Sequence, residues 1–146
     1  MRPVVPVTGY TGPVTSFASI RRPDRATAIA PDGSNVRVLL GLSGGGMAEF
    51  ELGPGQVAAA VTHRTVEEIW YVLQGRGEMW RRQGSEEQVI ALESGVCLTI
   101  PLGVHFQYRA LGEGALLVLG VTMPPWPGAD EASVVAGPWT PNPSAR

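Results

Sequence analysis

From Val36 onward the chain alternates short apolar stretches with tight clusters of glycine, proline and polar residues. The stretches are VRVLLGL (36–42), MAEFEL (47–52), VAAAVTH (57–63), EIWYVLQ (68–74), GEMWRR (77–82), QVIAL (88–92), VCLTI (96–100), FQYRA (106–110) and ALLVLGV (115–121). Their close, regular spacing predicts the strands of an all-β sandwich or barrel rather than an α/β fold. The dividers, among them SGGG (43–46), GPGQ (53–56), ESG (93–95) and LGEG (111–114), are turn sequences. HRTVEEIWYVL has some helical period, but bulky Ile69, Trp70, Tyr71 and Val72, ended by Gly75, favour a strand.

The two ends differ from this middle. Residues 1–35 have few periodic apolar positions, several prolines (Pro3, Pro6, Pro13, Pro23) and a turn at Pro31–Asn35. They read as an N-terminal arm with one or two short strands. Residues 36–122 are the barrel. Residues 123–146 carry six prolines and two tryptophans, which excludes a regular helix or a central strand. Two indoles are costly to leave in water, so this C-terminal segment is expected to lie on the barrel or on a neighbouring subunit.

The chain of 146 residues suits one domain and is long enough to bury a core without disulfides. A net charge of −2 gives no reason to expect nucleic acid or an acidic membrane as partner. There is no apolar run of about 18 residues, so no membrane span is expected. The start, MRPVVPVTGY, lacks the apolar centre of a signal peptide, so a cytoplasmic location is expected. The single cysteine, Cys97, has no partner for an internal disulfide; within VCLTI it reads as a buried core residue. LSGGGMAEF is no phosphate loop, because no Gly-Lys-Ser/Thr follows.

Candidate chemistry is confined by the two histidines, His63 and His105. Strand alternation puts Val57, Ala59, Val61 and His63 on one face of their strand, and Glu68, Trp70 and Val72 on one face of the next. If both faces point inward, an imidazole and a carboxylate meet inside the barrel. That is the start of a site for Fe, Mn, Zn or Ni. Arg81, Arg82 and Arg109 are candidates to anchor an acidic substrate, although WRRQGSEE also reads as a solvated hairpin end. Phe50, Met79 and Trp80 are further candidates for pocket walls.

At these residues the sequence resembles the cupin family. Gly55, five residues, Val61-Thr62-His63, four residues, Glu68, six residues and Gly75 follow the spacing of the family's first motif. That alignment selects Glu68 over Glu67 and puts Val61 where the motif has its first histidine. Gly95, five residues and Pro101-Leu102-Gly103 follow the second motif. Counting on without a gap puts Phe106 in its histidine slot and Ala110 in its asparagine slot, with His105 one residue early. A one-residue slip turns a side chain to the other face. Either Phe106 and Tyr108 point inward, or, with one residue deleted in the turn, His105 and Gln107 do. The triplet HFQ is similar to that of the germin-like branch, where the histidine is a ligand.

The resemblance implies a cupin-type double-stranded β-helix, a jelly-roll barrel with N- and C-terminal arms, and a homodimer as a common state. It implies a small-molecule enzyme of oxygenase, isomerase or lyase class, with a divalent transition metal on His63, Glu68 and His105. Its substrate pocket would involve Trp70, Phe106, Gln107 and Tyr108. Two alternatives stay open. One is a metal-free cyclase, dehydratase or isomerase using Glu68 and His63 as acid and base. The other is a non-catalytic binding module, since a fold does not dictate activity.

Overall fold

The computed structural model describes residues 16–142 and the backbone of Val5 and Pro6. The strands are β1 (Val5–Pro6), β2 (Ala28–Ile29), β3 (Asn35–Leu42), β4 (Gly45–Leu52), β5 (Val61–His63), β6 (Glu67–Gln74), β7 (Arg76–Gln83), β8 (Glu86–Glu93), β9 (Cys97–Ile100), β10 (His105–Leu111), β11 (Leu116–Met123) and β12 (Ala132–Val134). They form two facing sheets, one ordered β1-β2-β3-β4-β11-β6-β9 and the other β12-β5-β10-β7-β8. All the strand pairs are antiparallel except β1 with β2. This is the all-β barrel that the strand spacing predicts and the double-stranded β-helix that the family resemblance implies, and the predicted stretches from Val36 to Val121 become β3 to β11.

Period-two alternation sorts residues between core and solvent. Along β6, Glu68, Trp70 and Val72 are buried while Glu67, Ile69 and Tyr71 are exposed. Trp70 meets Phe50, Phe106 and Tyr108 from other strands, with ring centroids 5.3, 6.0 and 4.9 Å away. Around it pack Val72, Met79, Leu92, Ile100, Leu116 and Val118. Each such side chain contributes roughly 1.5–3 kcal/mol on full burial. Two glycines make room for this. Gly75, at φ 87°, turns β6 into β7, and a Cβ there would lie 2.2 Å from the Ala115 carbonyl oxygen. Gly120 faces the Phe50 ring, which a Cβ would approach to 2.3 Å.

Two details differ from expectation. The run 57–63 is not one strand; only Val61–His63 joins a sheet. Before it, Val57 bridges to Arg109 and Asn142, the Ala58 amide donates to Tyr108 and the Ala59 amide donates to Asp32. Three alanines have little drive toward a regular strand, and their backbone bonds go to several segments instead. Cys97 is exposed rather than buried: β9 turns Leu98 and Ile100 inward, so Cys97 and Thr99 point out. A short apolar run does not reveal its own phase.

The C-terminal segment lies on its own barrel. β12 pairs with β5. Gln107 Nε2 donates to the carbonyls of Ala58 and Trp139, and the Trp139 amide donates back to Gln107 Oε1. The Arg109 guanidinium stacks 4.1 Å over the Trp139 ring. No helix among the described residues is long and apolar enough to cross a membrane.

Candidate active site

β5 and β6 place His63 and Glu68 side by side. Both point between the sheets, where their alternation would have them, and both are nearly sealed from solvent, with side chains 5% and 3% exposed. His63 Nδ1 lies 3.2 Å from Glu68 Oε2. The approach is misaligned, however, and among the described residues Nδ1 has no hydrogen-bond partner. Glu68 Oε1 accepts a 2.9 Å bond from Trp70 Nε1, two residues along the same face. The imidazole is held edge-on between Phe106 and Trp126, at 5.3 and 5.0 Å between centroids.

These residues line a cavity of about 60 Å3, several times the roughly 10–15 Å3 that one water needs. Val36, Val38 and Leu40 of β3, Ala48 and Phe50 of β4, Val61, Trp70, Phe106 and Trp126 give it apolar and aromatic walls. Its polar groups come from His63, Glu68, Asp32 and Thr122.

Such walls shift titrations strongly. Burial pushes the Glu68 carboxyl up to about 8; the Trp70 N–H works against this, and the charge of Asp32 adds to it. Burial pushes His63 down to about 4, opposed by the charge of Glu131. Near neutral pH the site therefore holds a largely protonated carboxylic acid beside a neutral imidazole. Asp32 is also raised, by burial first, although Ser34 stabilises its charged form through two hydrogen bonds.

The structure does not bring the other expected residues here. β10 keeps the ungapped register: Phe106, Tyr108 and Ala110 face the core, and His105 points away. His105 Nδ1 lies 3.2 Å from Arg82 Nη2 on the outer surface. The expected set of His63, Glu68 and His105 thus does not assemble. The turn at Pro101–Val104 absorbs no residue, so His105 takes the outward phase. Gln107 shares that phase and latches the C-terminal segment instead of lining the pocket. Tyr108 is inward but belongs to the core behind Trp70. Of the expected substrate residues, Trp70 and Phe106 line the cavity. Met79 packs in the core, and Trp80 donates to Glu87. Arg82 faces His105, Arg109 pairs with Glu78, and Arg81 bonds the Thr99 carbonyl and Gln88, so none of the three lines the cavity.

A divalent metal does not fit these donors. Among the described residues no three His, Cys, Asp or Glu side chains come together as a metal-binding group. The two motif positions that lack a donor, Val61 and Phe106, lie directly opposite each other on β5 and β10.

Sequence reasoning missed three residues here. Asp32 enters from the β2–β3 turn, where an aspartate reads simply as a turn former. Trp126 comes from the proline-rich segment after β11 and closes one wall. Glu131, in the 3-10 turn Ala129–Glu131, clamps the link between the paired residues. Its carboxylate accepts bonds from the Thr65 amide (2.6 Å), the Val66 amide (3.1 Å) and the Thr65 hydroxyl (2.5 Å). Burial opposes its ionisation, but these bonds outweigh that effect and its pKa is lowered. Of the three, only Trp126 had a sequence signal, as an indole expected to find cover.

Comparison with known proteins agrees with the fold. Residues 48–122 match the family model described as Cupin domain. Among solved structures, an uncharacterized conserved protein with a double-stranded β-helix domain from Klebsiella pneumoniae is similar at 20% identity and TM-score 0.58, covering 71% of this chain and 85% of that one. KdgF from Halomonas sp. is similar at 22% identity and TM-score 0.54, covering 63% and 81%. The oxalate decarboxylase of Lactobacillus farciminis, in a formate complex, is similar at 17% identity and TM-score 0.62, over 71% of this chain and 32% of that one. No curated protein matches the sequence.

Proposed function

Because this chain belongs to the cupin family but carries two apolar residues where the family motifs place histidines, we propose that it is a small-molecule enzyme working by metal-free proton transfer. The observation that carries this reading is the His63–Glu68 pair, 3.2 Å apart inside an apolar cavity. A carboxyl with a pKa of about 8 exists in both forms near neutral pH. It therefore gives a proton readily and, once ionised, is a stronger base than an ordinary glutamate. Glu68 carboxylate takes a proton from a carbon beside a carbonyl, and the electron pair moves onto the carbonyl oxygen. In a β,γ-unsaturated carbonyl compound the dienolate is reprotonated at the γ-carbon, which is an isomerisation; in a β-hydroxy carbonyl compound the enolate re-forms the carbonyl and expels the β-hydroxyl, which takes the proton and leaves as water, a dehydration. Neutral His63 beside it accepts or relays a proton, and the aromatic walls lower the polarity around the pair. Trp70 keeps one Glu68 oxygen oriented by its N–H bond.

The test uses untagged protein assayed against a panel of β,γ-unsaturated ketones and β-hydroxy ketones, with and without chelator. The reading expects turnover that survives chelation and is lost in Glu68→Gln and in His63→Ala. Turnover that disappears on chelation and returns with added metal would overturn it. So would activity that survives both substitutions.

A further inference from the structure

The cavity contains a second carboxyl that the proton-transfer reading does not use. Asp32 is buried, 8% exposed, and lines the same cavity as Glu68. Its charge reaches Glu68 electrostatically. The Ser34 amide and hydroxyl both donate to Oδ1, at 2.9 and 2.6 Å, so neither of these bonds uses Oδ2. Among the described residues no arginine lines the cavity, and the chain has no lysine. With Glu68 largely protonated near neutral pH, Asp32 is the carboxyl whose charge no lining cation balances. A buried charge is costly unless it is paired. The remaining walls include four aromatic side chains, Phe50, Trp70, Phe106 and Trp126, whose faces favour positive charge.

The geometry points to a small aromatic or aliphatic ligand carrying a protonated amine, which Asp32 receives while the apolar body lies among the aromatic walls near Glu68. This rests on the preceding reading only in placing the ligand in the same cavity. An ammonium supplies the missing countercharge, whereas a carboxylate or phosphate would meet the Asp32 charge with no cation to balance it. An alcohol of the same shape gains the apolar contact alone.

The test is a matched series, benzylamine, benzyl alcohol and benzoate, titrated into the full chain by calorimetry. Benzylamine is expected to bind at least about tenfold more tightly than the alcohol, and benzoate more weakly than either. Asp32→Asn retains the Oδ1 acceptor for Ser34 while removing the charge. It is expected to abolish the preference for the amine and leave the alcohol's affinity within about twofold. Benzoate binding as well as benzylamine would overturn the inference. So would an undiminished amine preference in Asp32→Asn, or no saturable benzylamine binding below about 10 mM. The series on the unmodified protein decides the matter even if the variant does not fold. Amine binding without any proton-transfer activity would sink the proposed function and leave this inference standing. Chelation-resistant turnover of uncharged ketones with no amine preference would do the reverse.

Discussion

Val61 on β5 and Phe106 on β10 are direct cross-strand partners, so the two motif positions without a donor form one apolar patch beside His63. The patch is 2% and 3% exposed and belongs to the hydrophobic core. The strands that carry these two motif positions are thus in place here while the histidines of the motif are replaced by apolar side chains at both.

Restoring them tests that view. Val61→His with Phe106→His adds two imidazoles to His63 and Glu68 on the same inward faces. The double variant is expected to retain about one equivalent of Zn or Ni after dialysis, measured by elemental analysis. The unmodified protein is expected to hold less than about a tenth of an equivalent. Loss of the Phe106 ring should cost about 2–4 kcal/mol in the metal-free state. Equal metal content in both proteins would show that the apolar patch is not what sets metal affinity.

Glu68 makes stability fall with rising pH. Its folded pKa is raised from 4.5 to about 8, so the folded chain holds a proton that the unfolded chain releases. Its contribution is fully present below pH 4.5 and is lost as pH rises through about 8, with a slope of at most about 1.4 kcal/mol per pH unit. Raised Asp32 acts in the same direction. Urea unfolding from about pH 5 to about pH 8.5 should show this decline, and Glu68→Gln should flatten it. An unchanged slope in the variant would contradict the assignment.

His63 has the opposite sign. Its pKa is lowered from 6.5 to about 4, so its contribution is present above pH 6.5 and is lost as pH falls toward 4. In a proton NMR titration its ring signals should keep neutral-form shifts until the pH approaches 4. A midpoint near 6.5 would show that the imidazole is hydrated and the pocket open.

Glu131 is expected to hold the Arg64–Glu67 link. Glu131→Ala strips the acceptor from two amides and a hydroxyl, and the Arg64 amide also bonds the Glu131 carbonyl. Unfolding free energy should drop by about 2–4 kcal/mol, with faster hydrogen exchange at Thr65 and Val66. Glu131→Gln, which retains an acceptor, should recover part of the loss. Exchange rates unchanged from those of the unmodified protein would mean that the link is held by β5 and β6 alone.

Legibility differed from residue to residue. Glu68 rather than Glu67 was readable from the motif spacing, since alternation only sets the two on opposite faces, and the structure exposes Glu67 and buries Glu68. His105 against Phe106 was not readable, because the phase of β10 depends on how many residues the preceding turn consumes. The same ambiguity misassigned Cys97. Asp32 and Glu131 were invisible for another reason: each is an ordinary turn residue locally and gains its role from segments far away in sequence. Glu131 lies 66 positions from Thr65.

The amino-acid sequence alone determined that this is an all-β chain with strands from Val36 to Val121, because hydrophobic alternation and turn residues are local properties and suffice for that; the motif spacing added that His63 and Glu68 share one site. Tertiary structure decided which histidine stays outside, which carboxyl joins Glu68 and which segment closes the pocket. Those outcomes depend on strand phase after turns and on contacts between distant segments, which no local pattern encodes.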